Sequence, residues 1–152
     1  MPCSRTLLAI LVSLLASCAT GRLPSGAVVG EAIETRKIQR FSVVDATPEA
    51  FFDRVLLVEA EVVDVCRQGH CWMQISDRGK TALVRWETGC GGQYEFPEEA
   101  IGRRVLIQGS FYPKELSPEE RENLVAESGG ELRIRPDNYE FNASAILIID
   151  ER

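Results

Sequence analysis

Within positions 66–73 the 152-residue chain carries two thiols, an imidazole and a thioether: Cys66, His70, Cys71 and Met73. A further thiol, Cys90, stands among glycines in residues 88–93. Side chains of these types support three chemistries. Two opposed thiols oxidise to a disulfide. Thiolate, imidazole and thioether together suit a soft ion such as Cu(I), and two Cys with one His also suit Zn(II). A reactive dithiol exchanges with other disulfides. Four residues separate Cys66 from Cys71, which is neither a zinc knuckle nor the two-residue spacing of a thioredoxin-type motif, and no helix follows to lower a thiolate pKa. With His70 as the single histidine, there is no zincin helix and no evident Ser-His-Asp set, so the residues predict no enzyme. Glu59 and Glu61 alternate outward on a strand, and Glu119, Glu120 and Glu122 are the acidic bias of a helix start. Arg103, Arg104 and Lys114 form a small basic patch in an acidic chain.

The elements that position the sulfurs follow from pattern. Residues 55–66, 71–76 and 81–86 are β-rich runs separated by glycine-containing turns at 67–70 and 77–80, which predicts a three-stranded meander. Counting outward from tight turns, Cys66 faces Cys71, Asp64 faces Met73 and Val62 faces Ile75. Across the second hairpin Ile75 faces Ala82, Met73 faces Val84 and Cys71 faces Trp86. Opposed strand residues lie about 4.5–5.5 Å apart at Cα, within disulfide range. The expected staple is therefore Cys66–Cys71, with Cys90 left odd. The alternative is a metal site drawn from Cys66, His70, Cys71, Met73 and Cys90. Trp72 falls on the opposite face, as an exposed aromatic anchor unless a segment such as residues 30–45 covers it.

Thr47-Pro48-Glu49 predicts a short helix through about Arg54. Residues 105–112 alternate, with Val105, Ile107, Gly109 and Phe111 on one face. So do residues 138–149, with Tyr139, Phe141, Ala143, Ala145, Leu147 and Ile149 together. Between them Ser117-Pro118-Glu119-Glu120 is a capping box opening a helix to about Ser128, ended by Gly129-Gly130. The fold class is mainly β with minor α: a small five-stranded OB-like β-barrel with a helix between strands four and five. The usual OB helix lies between strands three and four; here that gap, residues 87–102, reads as a loop.

The amino terminus is an address. Arg5 precedes an apolar run, residues 6–16, too short to span a bilayer as helix. Leu15-Ala16-Ser17-Cys18 then resembles the bacterial lipoprotein signature. That resemblance implies removal of residues 1–17 and lipidation of Cys18, with palmitate among its acyl chains. Several tens of buried methylenes at about 0.8 kcal/mol each make such an anchor effectively permanent. Ala19 after the cysteine points to the outer membrane, facing the periplasm. Residues 18–29 read as a flexible tether and 30–152 as the barrel domain. The mature chain holds 16 bases against 23 acids, a balance that excludes a nucleic-acid grip and attraction to anionic lipid.

Val65-Cys66, followed by Cys71-Trp72-Met73, resembles the Val-Cys-x-x-x-Gly-Cys-Trp-Met signature of a family of bacterial secreted proteins and lipoproteins of undefined activity. The resemblance runs from Val29-Gly30-Glu31 through residues 55–66, Pro97, Gly102 and Lys114-Glu115-Leu116-Ser117 to the last strand. It implies an OB-type barrel. His70 replaces a glycine usual in that signature, and Cys90 adds a thiol to a loop usually without one. The expectation is a lipid-anchored envelope protein. Its barrel binds an unidentified protein or small ligand, or alternatively copper or zinc.

Overall fold

Glycine-punctuated runs of Val, Leu and Ile fold back on one another until the sheet closes. The computed structural model describes residues 21–136 and 138–151. The expected signal, residues 1–17, and Cys18 lie outside them. Strands β1 (Gly26–Gly30), β2 (Ile38–Arg40), β3 (Val55–Val65), β4 (Trp72–Asp77), β5 (Lys80–Trp86), β6 (Arg104–Pro113) and β7 (Tyr139–Ile149) form one sheet, with helices α1 (Phe41–Ala46) and α2 (Pro118–Glu127). Within it β3 pairs with β4, β4 with β5, β5 with β7, β7 with β6, and β6 with β3. These five strands make a closed ring of OB type, with β5 and β7 its one parallel contact. Helix α2 lies between the fourth and fifth barrel strands, as the sequence predicts.

Two strands were not expected. β1 runs antiparallel to the end of β7, from Gly26 opposite Ile149 to Gly30 opposite Ala145. Residues Gly26–Gly30, the first four of which fall in the 18–29 segment expected as a tether, belong to the sheet. A side chain on Gly26 would collide with the Ile148 carbonyl, which explains glycine at this close approach. β2 pairs parallel to the first half of β3.

Strand directions define two ends of the ring. At one, α1 inserts Phe41 and Val44, both fully buried, and Phe41 meets Phe111 and Phe141 edge-on at 6.1 and 6.3 Å. No side chain of α1's N-cap, Arg40, caps the helix; Asp77 from the β4–β5 hairpin accepts the Ser42 N–H instead, at 3.0 Å. The helix expected from Thr47 to Arg54 is only a 3₁₀ turn, Pro48–Ala50. Asp53, at φ 58°, ends any helical path there. At the other end, residues 87–103 cross the opening, and Phe96 stacks on Trp86 at 4.4 Å with 10° between planes.

Two bulges reset which residues face inward. In β3, Val62 pairs with Ile75 but Asp64 pairs with Gln74, so Val63 is the extra residue. In β7, Ala143 pairs with Gly109 but Ala145 with Gln108, so Ser144 is extra. Tyr139, Phe141 and Ala143 face the barrel core as predicted; beyond the bulge Ile146 and Ile148 do so, and Ala145 and Leu147 turn outward to a second cluster with Ile33, Leu57 and Leu106.

Candidate functional site

The sequence points to the barrel end where the β3–β4 turn meets the loop after β5. Because of the bulge at Val63, Val65 rather than Asp64 lies opposite Met73, and Cys66 accompanies Trp72, whose carbonyl accepts the Cys66 N–H at 3.0 Å. One extra residue inverts every side chain beyond it. Cys66 is thus on the outer face, buried with Trp72, Leu83, Leu116 and Leu124 beneath α2. Its Sγ accepts the Gly69 N–H at 3.4 Å and donates to Glu127 Oε2 at 3.6 Å. The same Glu127 oxygen accepts the Trp72 indole N–H at 2.8 Å.

Cys71 takes a different partner: it forms a disulfide with Cys90, across a Cα separation of 4.7 Å. The Cys66–Cys71 staple is therefore corrected to Cys71–Cys90, and Cys66 is the free cysteine among the described residues. The other predicted site residues disperse. Met73 is fully buried in the barrel core. His70 holds the left-handed turn position at φ 49°, where glycine is easier, and its carbonyl accepts the Phe96 N–H at 3.0 Å. Among the described residues no three His, Cys, Asp or Glu side chains gather as a metal site. Trp72, expected as an exposed anchor, is 1% exposed. Its cover is α2 and Leu132 and Ile134, not residues 30–45.

Sequence reasoning missed two buried amides that fasten loops to the barrel's outside. Gln108 on β6 accepts the N–H groups of Glu34 and Thr35, at 2.8 and 3.2 Å, and donates to Ala32 O at 3.1 Å. Gln74 on β4 donates to Arg133 O at 2.7 Å and accepts Arg133 N–H at 2.8 Å. Their signal was an amide amid apolar strand residues, legible only once the covering loop is known.

With the geometry in place, the chain can be set beside known proteins. No protein-family model matches it. No curated protein matches its sequence. A solved structure assigned as an aspartyl-tRNA synthetase from Leishmania major Friedlin is similar over 80% of this chain, with 15% identity and a TM-score of 0.49. The chain spans 22% of that structure's length.

Among the described residues, buried Asp45, Asp77 and Glu140 are each paired with a cation. Asp45, its side chain buried, meets Lys80 at 3.3 Å and also Arg135. Glu140 accepts from Arg85 Nε at 3.1 Å and from the Tyr112 hydroxyl at 2.8 Å; burial and then this carboxylate push the Tyr112 pKa upward. The Arg40 guanidinium holds Asp77 well below the usual carboxylate range, with the Ser42 N–H assisting against burial. A groove of about 900 Å³ crosses the β3–β6 face, and its walls include Ile38, Glu59, Glu61, Arg104 and Leu106. Arg104 pairs with Glu59 across it, so the walls carry both signs.

Proposed function

We propose that this chain is a lipid-anchored protein of the bacterial cell envelope whose barrel is an interaction module, not a catalyst, set on the periplasmic face of the outer membrane. Leu15-Ala16-Ser17-Cys18 behind the apolar run of residues 6–16 carries this reading. A disulfide between Cys71 and Cys90 suits an oxidising compartment. Buried Asp45 and Glu140 are each paired with a cation, and among the described residues no carboxylate hydrogen-bonds the buried His70 Nδ1. Once Cys71 and Cys90 are joined and Met73 is in the core, Cys66 and His70 alone remain of the five candidate ligands, too few for a closed four-coordinate zinc site.

The test is metabolic labelling with radioactive palmitate. The intact chain takes label and sediments with outer membranes, while Cys18→Ser takes none. Label retained in Cys18→Ser, or a wild-type chain free of label, overturns the reading.

A further inference from the structure

The outer face of β4 and β5 corresponds to the strand-two and strand-three face on which OB barrels bind oligonucleotides and oligosaccharides, and here the chain itself occupies it. Residues 129–136 cross this face as a strap between α2 and β7. Gln74 is 1% exposed, and both of its amide bonds go to the backbone of Arg133. The amide therefore reads an extended main chain, whatever side chain that chain bears. To either side of Arg133, Leu132 and Ile134 pack half-buried against the Trp72–Leu83 cluster. One residue further, Arg135 reaches the buried Asp45 carboxylate. Apolar, any, apolar, basic is the pattern this face accepts.

The strap hides little of its own surface, although Asp64 accepts the Gly129 N–H at 3.0 Å and Asp45 holds Arg135. None of residues 129–136 is fully buried, whereas the strap fastened by Gln108 contributes Ile33 at 8% exposure. Gly129 and Gly130 begin it, with Gly130 at φ 102°, a conformation that costs other residues. Upstream, α2 buries Leu124 alone among its ten residues. Segments with few buried apolar contacts open at lower free energy than the core they cover.

We propose that residues 129–136 are a releasable, self-blocking occupant of the β4–β5 face, and that the uncovered face binds an extended partner peptide of apolar–any–apolar–basic sequence. This rests on the barrel being an interaction module and names the partner's class. Gln74 pairs the incoming main chain, the Trp72–Leu83 cluster takes the two apolar side chains, and Asp45 takes the base. Because the strap is tethered, it competes at an effective concentration in the millimolar range, at order of magnitude. The apparent affinity for a free peptide is reduced to the open fraction of its intrinsic value.

Hydrogen exchange on the full-length chain in detergent tests the first half. The Arg133 amide should exchange about tenfold or more faster than those of Leu106 and Ile107, through local opening. Calorimetry with the synthetic peptide Gly-Glu-Leu-Arg-Ile-Arg-Pro, matching residues 130–136, tests the second. Arg133→Pro removes the N–H that Gln74 accepts and frees the face, so it should bind the peptide about tenfold or more tightly than wild type, with a scrambled peptide silent. Equal exchange of strap and barrel amides overturns the proposal, as does a peptide that binds neither chain. Should Arg133→Pro fail to fold, exchange on the unaltered chain still decides. Palmitate labelling is indifferent to all of these outcomes, so loss of the strap proposal and loss of the anchor reading are separable.

Discussion

Cys71 reaches Cys90 because His70, in a left-handed turn, and the glycine-flanked loop bring the two Cα atoms to 4.7 Å. The bond closes a loop over 19 positions, and the chain-entropy model gives such a loop about 3 kcal/mol. Cys90→Ser should lower stability by that order in urea denaturation, and non-reducing peptide mapping should recover Cys71 joined to Cys90. Cys66 should alkylate only after unfolding; a Cys66–Cys71 peptide would contradict the structure. Asp77 makes the second residue-scale case. Its carboxyl is held below the ordinary range, first by Arg40, so its stabilisation is fully present above about pH 4 and is lost as the pH falls towards its folded pKa. Asp77→Asn should cost about 1 kcal/mol at neutral pH, chiefly the Ser42 and Arg40 hydrogen bonds, since half-exposed Arg40 is screened by water. The variant should also show a shallower loss of stability below pH 4 in denaturation curves taken across pH.

At the scale of elements the two bulges decide most. The extra Val63 sends Cys66 outward, and the extra Ser144 lets Ala145 and Leu147 cover Leu57 and Leu106 while Ile146 and Ile148 fill the barrel. Where β6 and β7 meet at the second bulge, Gly109 lies against the Asn142 carbonyl with no room for a Cβ. Gly109→Ala should therefore destabilise by about 1–3 kcal/mol, an overpacking cost, read from the denaturation midpoint. Much at this scale was legible. The β-rich runs between glycine-containing turns located the first three barrel strands and alternation the last two, and Ser117 and Glu120 exchange both bonds of the expected capping box. Register failed only beyond the bulges, since a bulge leaves no mark in an apolar–polar alternation until the partner strand is known. Helix α1 escaped notice because Phe-Ser-Val-Val-Asp-Ala has strand-like composition and is helical only as a plug for the barrel end.

For the whole molecule, the charge balance and the proposed lipid anchor predict separable behaviour. With 17 bases against 23 acids, the chain has no net attraction to anionic lipid. Membrane attachment should therefore resist a 1 M salt wash, roughly the ionic strength that shortens screening to about 3 Å, and yield only to detergent. Release by salt would show an electrostatic association in place of acyl chains. The candidate chemistry was the least legible part. Cys66, His70, Cys71 and Met73 are neighbours in sequence, yet they point to a covered outer face, a turn, a disulfide and the core.

The amino-acid sequence alone determined the class of fold, the order of its barrel strands, the place of α2, and the acidic balance. Each of these is written in local periodicity, capping residues or composition, which need no distant partner. Tertiary structure alone decided which cysteines join, that Trp72 is covered, and that Gln74 fastens the strap. Those outcomes depend on single-residue register and on segments some sixty positions away, as between Gln74 and Arg133. Side-chain direction in a strand alternates residue by residue, so one unpaired position is enough to redirect it.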